Sequence, residues 1–237
     1  MLFSHRPERE WQNKRFVPLD YAKSRHAAGA FYEYSRQVVA ESGYPVLEVT
    51  DEQQRGDGFG GRLANAFADA FAKGYDRVIA VGNDCPRLHE VDWDDVADRL
   101  TAGTPVLGPT TDGEGAYLIG LSRAHFDSDA FAALPWQSPA LLTALRTHLA
   151  AGTGAPDLLT PRRDVNTERD LIVFLRRSES EGARRLRAAL RIVLGVVPHE
   201  AGPSTTLASR RAAQFCRSRA PPVAPHVVAT GGRARPA

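Results

Sequence analysis

The chain has 237 residues, 43% of them hydrophobic, and a formal net charge of +2. That supplies one sizeable core, while no apolar run approaches the roughly 20 residues that span a bilayer. Residues 201–237 hold six arginines and no acid, leaving 24 basic and 28 acidic residues before them. The body therefore gives no reason to expect a nucleic-acid partner.

In chain order, Leu2-Phe3 reads as a short first strand. Residues 22–41 read as a helix with Ala27, Phe31, Tyr34 and Val38 on one face. Tyr44 to Val49 is a short strand. Residues 62–73 form a second helix, on the spacing of Leu63, Phe67, Ala70 and Phe71. Arg77 to Val81 is an apolar run of the kind buried on both faces of a sheet. Asp92 and Asp95 mark a helix start. Pro105–Leu107 and Ala116–Leu121 are further strands, and 138–150 a further helix. Thr167 and Asp170 resemble a capping pair for a helix beginning near Glu168. This alternation implies an α/β fold, a three-layer sandwich around a mostly parallel sheet. Residues 181–194 form a basic amphipathic helix, whose ordinary role is to dock its Leu186, Leu190 and Val193 face; contact with an anionic membrane surface through 181–237 is the alternative. From residue 200 the composition predicts disorder. The expected division is thus 1–175 as the main domain, 176–199 as the helix and 200–237 as the tail.

In open parallel sheets ligands bind beyond the carboxyl ends of the strands. Asp84, in Gly82-Asn83-Asp84-Cys85-Pro86, lies at that location after the strand ending at Val81. A carboxylate so placed is a hard-oxygen ligand for Mg²⁺ or Mn²⁺, or else the cap of a turn. Asn83 beside it is a nucleotide contact on the same grounds. The loop Leu107 to Tyr117 contains Asp112, which would orient or deprotonate a hydroxyl, and Gly113, where backbone can approach a ligand; its plain reading is a hairpin turn. In Asp164-Val165-Asn166-Thr167, Asn166 offers an amide oxygen to the same metal. The run Gly56 to Gly61 spells G-x-G-x-x-G, but six residues separate it from the preceding strand, against a Rossmann turn. Another kind of nucleotide contact, through Gly60 and Arg62, stays open. Asp92-Trp93-Asp94 reads as helix capping. Cys85 reads as a buried small hydrophobe, and the histidines lack zinc spacing. The two distant cysteines, Cys85 and Cys216, and a start without a long apolar stretch lead us to expect a cytoplasmic protein without a leader.

Four segments, Gly82–Pro86, Leu107–Leu121, Leu134-Pro135-Trp136-Gln137-Ser138 and Asp164–Leu171, occur in one order and spacing that resembles a bacterial glycosyltransferase-like family, domain of unknown function 2064, of the nucleotide-diphospho-sugar transferase (GT-A) superfamily. The resemblance spans roughly residues 1–175. It implies a GT-A-like fold, a divalent metal and a nucleotide-sugar ligand. It matches Asp84 to the metal and diphosphate aspartate and Asp112 to the acid of an Asp-Gly-Gly loop. Asn166 stands where the family has the central Asp of Asp-Val-Asp-Thr, and Glu114 is an extra residue in the loop. Lys14 or Arg15 corresponds to a basic residue that contacts phosphate. The implied activity is metal-dependent glycosyl transfer from a nucleotide sugar to an unknown acceptor. A nucleotidyltransferase of the same superfamily and an idle nucleotide-binding module are the alternatives.

Overall fold

The computed structural model describes residues 1–14, 16–176 and 181–195. The tail over 200–237, Cys216, and Arg15, the alternative to Lys14, lie outside the described residues.

Among the described residues, six strands form one sheet: β1 (Leu2–Phe3), β2 (Glu48–Val49), β3 (Arg77–Val81), β4 (Val106–Pro109), β5 (Ala116–Ser122) and β6 (Asp157–Leu158). Their order is β2-β1-β3-β5-β4-β6. β2, β1 and β3 pair in parallel, as do β4 and β6, whereas β5 is antiparallel to both its neighbours. The sheet is therefore mostly parallel, as expected, with one reversal. Its cause is connection length: only residues 110–115 join β4 to β5, and a parallel crossover needs about a dozen. The plain hairpin reading of this loop was the correct local geometry.

Among the described residues, eight α-helices flank the sheet: α1 (Pro7–Asn13), α2 (Tyr21–Ala40), α3 (Gly58–Ala72), α4 (Trp93–Thr101), α5 (Ser128–Ala132), α6 (Leu141–Thr153), α7 (Glu168–Arg176) and α8 (Glu181–Leu194). Successive strand residues point to opposite faces, so each strand feeds two cores. Leu2, Val81, Val106 and Leu118 pack against α2, α4, α7 and α8, through Phe31, Val96, Phe174 and Leu190 among others. Phe3, Val78, Ala80, Leu107 and Ile119 pack against α3, α5 and α6, through Phe67, Phe131 and Leu145. Full burial of such a side chain contributes about 1.5–3 kcal/mol, so the two cores hold the three layers together. α8 buries Ala183, Leu186 and Leu190 in the first of them. Among the described residues, no helix is long and apolar enough to cross a membrane.

The helix ends follow the capping pattern in the sequence. Asp92 accepts from the Asp95 N–H, so Asp92-Trp93-Asp94 is a helix start. Thr167 and Asp170 bond reciprocally: the Asp170 N–H donates to the Thr167 hydroxyl oxygen, and the Thr167 N–H donates to the Asp170 carboxylate. α3 begins four residues earlier than expected, taking in Gly58, Gly60 and Gly61, because a packing constraint described below outweighs the poor helix propensity of glycine. The strand expected over 44–49 pairs only at Glu48–Val49, since its sole neighbour β1 is itself two residues long. α1 was not anticipated, although Pro7 at its first turn and the acids Glu8 and Glu10 suit a helix start.

Candidate functional site

β3 delivers the chain to Gly82, Asn83 and Asp84 at the carboxyl end of the parallel strands. A Cβ on Gly82 would lie 2.9 Å from the Asp84 Oδ1, so glycine makes room for that carboxylate to fold back. The Asp84 Oδ2 accepts a hydrogen bond from the Lys14 ammonium at 2.8 Å. Lys14 follows α1 and also pairs with Glu10, one turn earlier, at 3.1 Å. Burial alone would lower the Lys14 pKa, but Asp84 and Glu10 outweigh it and raise it. Lys14 is thus a charged, inward-facing cation.

The second acid arrives from the other end of the chain. After β6 the backbone crosses the sheet end, and the Val165 N–H donates to the Asp84 carbonyl at 2.8 Å. Val165 is buried, and in extended chain its neighbours Asp164 and Asn166 face the opposite way. Both line a cleft of about 880 Å³ that Lys14, Asn83 and Asp84 also line. The Asp164 Oδ1 is buried without a hydrogen-bond partner among the described residues. Burial first, and then the charge of Asp84, push the Asp164 carboxyl well above the ordinary range, with Lys14 opposing. Two carboxylates flanking one backbone hydrogen bond, one of them unsatisfied, form a site short of positive charge. Mg²⁺ and Mn²⁺ often take one or two protein carboxylates and complete their shells with phosphate oxygens and water. Asp84 and Asp164, with the Asn166 amide oxygen nearby, fit that demand. Among the described residues there is no group of three or more His, Cys, Asp or Glu placed to hold a metal.

The other sequence candidates separate. Arg62 lines the cleft, its Nε donating to Gln54 at 3.2 Å. Asp112 and Gly113 sit at the exposed hairpin tip and do not line the cleft. Burial would raise the Asp112 pKa, but the Thr110 hydroxyl and the Glu114 N–H lower it on balance. Such a satisfied carboxylate is a turn cap and a poor base. Gly60 is a packing glycine: a Cβ there would overlap the Trp136 indole and the Ala132 carbonyl. Gly60→Ala is therefore expected to cost about 1–3 kcal/mol in a denaturant melt, with Trp136 fluorescence displaced. Cys85 is buried, and burial pushes its thiol well up, as befits an inert side chain. Sequence reasoning passed over Asp164 in favour of Asn166, although the alternation around Val165 was the available signal. It also passed over His5, which follows β1 and lines the cleft with its Nδ1 unpartnered among the described residues.

The sequence profile of a family described as an uncharacterized protein conserved in bacteria, domain of unknown function 2064, matches residues 31–138. Over that span the chain is similar to this family. The span includes Asp84 and Trp136, while Lys14 and Asp164 lie on either side of it. A crystal structure of a putative nucleotide-diphospho-sugar transferase from Desulfovibrio desulfuricans G20 is similar, with a TM-score of 0.60 and 22% identity over 81% of this chain and 96% of that one. At that identity the likeness is one of fold, and it agrees with the three-layer sheet described above. No curated protein gives a significant match.

Proposed function

We propose that the cleft binds a nucleotide-activated sugar together with Mg²⁺ or Mn²⁺ and transfers the sugar to an acceptor. The observation that carries this reading is the pair Asp84 and Asp164, joined through the Val165 N–H to Asp84 C=O hydrogen bond at the carboxyl end of the sheet, with the Asp164 Oδ1 unsatisfied among the described residues. A divalent ion held by Asp84, Asp164 and the Asn166 amide oxygen would neutralise a diphosphate leaving group. Lys14 holds a positive charge beside the same carboxylate, and Arg62 adds planar donors suited to phosphate oxygens. The cleft, at about 880 Å³, is large enough for a ligand of nucleotide-sugar size. The likeness to that family and the neighbour's fold support the substrate class.

The test is calorimetric titration of UDP-glucose and GDP-mannose with Mn²⁺, compared with Asp84→Ala and with wild type in chelator. The expected result is a metal-dependent affinity in wild type that Asp84→Ala and chelation both remove. Equal metal-dependent binding by wild type and Asp84→Ala would dismiss the reading. The same carboxylate pair suits nucleotidyl transfer, and pyrophosphate release from a nucleoside triphosphate and a phosphorylated acceptor would decide for that reaction instead.

A further inference from the structure

The cleft has two chemically different ends. One holds the carboxylates and Lys14. The other is walled by Phe59, Leu63, Trp136 and Leu141 and carries the polar groups Arg62, with its partner Gln54, and Gln137. Trp136 and Gln137 belong to the Leu134–Ser138 segment, which the proposed metal chemistry leaves without a role.

Trp136 is pinned. Its Nε1–H donates to the Phe131 carbonyl at 2.8 Å. Its ring meets Phe131 edge-on at 4.9 Å between centroids and Phe59 at 5.5 Å. Gly60 supplies the gap in which the indole sits. With the ring nitrogen spent, what Trp136 offers the cleft is a rigid aromatic surface. The next residue, Gln137, is held at φ 58°, one of two described non-glycine residues in the left-handed region. Strain of that kind accumulates where a side chain must be aimed. The Gln137 amide is exposed, lines the cleft, and makes no hydrogen bond among the described residues.

A flat apolar surface rimmed by an amide and a guanidinium matches a pyranose, whose axial C–H groups are apolar and whose hydroxyls ring the edge. We propose that Trp136 and Gln137 form the subsite for the sugar ring, with Phe59 backing the indole. This assignment rests on the nucleotide-sugar reading for its setting, and says which part of such a ligand this end of the cleft takes. A nucleobase would use the aromatic surface but has no need of the strained amide on an apolar wall.

Two experiments separate the subsite from the wider reading. In the first, ¹H–¹⁵N spectra follow the three indole signals, from Trp11, Trp93 and Trp136, during titration with methyl glucoside, methyl galactoside and methyl mannoside, with Trp136→Phe assigning the third. One of these pyranosides is expected to move the Trp136 signal and leave the other two in place. In the second, Gln137→Gly and Trp136→Phe are titrated with UDP, GDP, UDP-glucose and GDP-mannose in Mn²⁺. Both variants are expected to lose about tenfold in affinity for the sugar nucleotide and nothing for the nucleoside diphosphate. Gln137→Gly relieves the backbone strain, so a loss of binding with unchanged or higher thermal stability cannot come from unfolding. An equal loss for nucleoside diphosphate and sugar nucleotide would assign the surface to the base and overturn the proposal. So would an unmoved Trp136 signal in all three pyranoside titrations. If no nucleotide binds the wild type, the wider reading falls, and the pyranoside titration alone decides the subsite.

Discussion

Asp164→Asn is expected to abolish the metal-dependent part of nucleotide binding while making the metal-free protein more stable. The two effects have one origin. The Asp164 carboxyl is buried beside Asp84, and its Oδ1 has no partner among the described residues. Ionising it there costs free energy that a bound cation would offset. Its folded-state pKa is raised by burial and by Asp84, so the stability linked to its proton is fully present below the ordinary carboxylate range. That stability is lost as pH rises through the raised value. In the metal-free wild type, thermal stability should therefore fall with rising pH across this window, and Asp164→Asn should flatten the profile. Losing a charged ligand should weaken metal affinity by about 100-fold or more, beyond the range seen for groups that merely orient ligands. Mn²⁺ titration and melting curves from pH 4 to pH 8, read together, check both halves. Unchanged Mn²⁺ affinity in Asp164→Asn would show that Asp84 acts without it.

The sequence made the fold legible because burial on a sheet leaves a period. Arg77 to Val81 and Ala116 to Leu121 read as strands, and the starts of α2, α4 and α7 were found within a residue or two from spacing and caps. Less visible were elements whose stability comes from distant partners. β6 is two residues long and exists because β4 is beside it. α1 is held by its packing on α2 and by the link from Lys14 to Asp84, which its own composition does not reveal. The site divides in the same way. Asp84 was legible because a parallel strand points its carboxyl end at ligands, a rule that needs only local order. Asp112 was ambiguous because a glycine-rich acidic loop looks alike whether it cradles a ligand or closes a hairpin. Here the Thr110 hydroxyl already occupies its carboxylate. Asp164 was hidden because its significance depends on a hydrogen bond between residues 84 and 165.

Arg162→Ala is expected to be the most destabilising single substitution near the cleft, because one guanidinium ties three segments together. Its side chain is 8% exposed. Nη1 donates to the Arg87 carbonyl at 2.9 Å and to Glu90, Nη2 to the Glu90 carbonyl at 2.9 Å, and Nε to the Tyr117 hydroxyl at 3.1 Å. The backbone of the same residue bonds to Pro109 and Thr111, so the hairpin, the turn after Asp84 and the segment bearing Asp164 share this anchor. Breaking a buried pair costs about 3–5 kcal/mol when the partner charge is stranded. Glu90 keeps Arg87 at 2.7 Å and is one-quarter exposed, which places the expected loss near the low end, about 3 kcal/mol. In a domain of this size that lowers the melting temperature by about 10 °C. Arg162→Lys keeps the charge but not the planar fork, and should recover less than half of the loss. A fall of under about 1 kcal/mol for Arg162→Ala would mean that water replaces these bonds at little cost. Metal affinity supplies the functional half of the test. Since Arg162 positions the segment that carries Asp164 without facing the ion, Arg162→Ala should weaken Mn²⁺ binding by about 10-fold to 100-fold at a temperature where the variant is still folded. The Asp164→Asn effect should then shrink in the double variant, because both changes act on the same ligand.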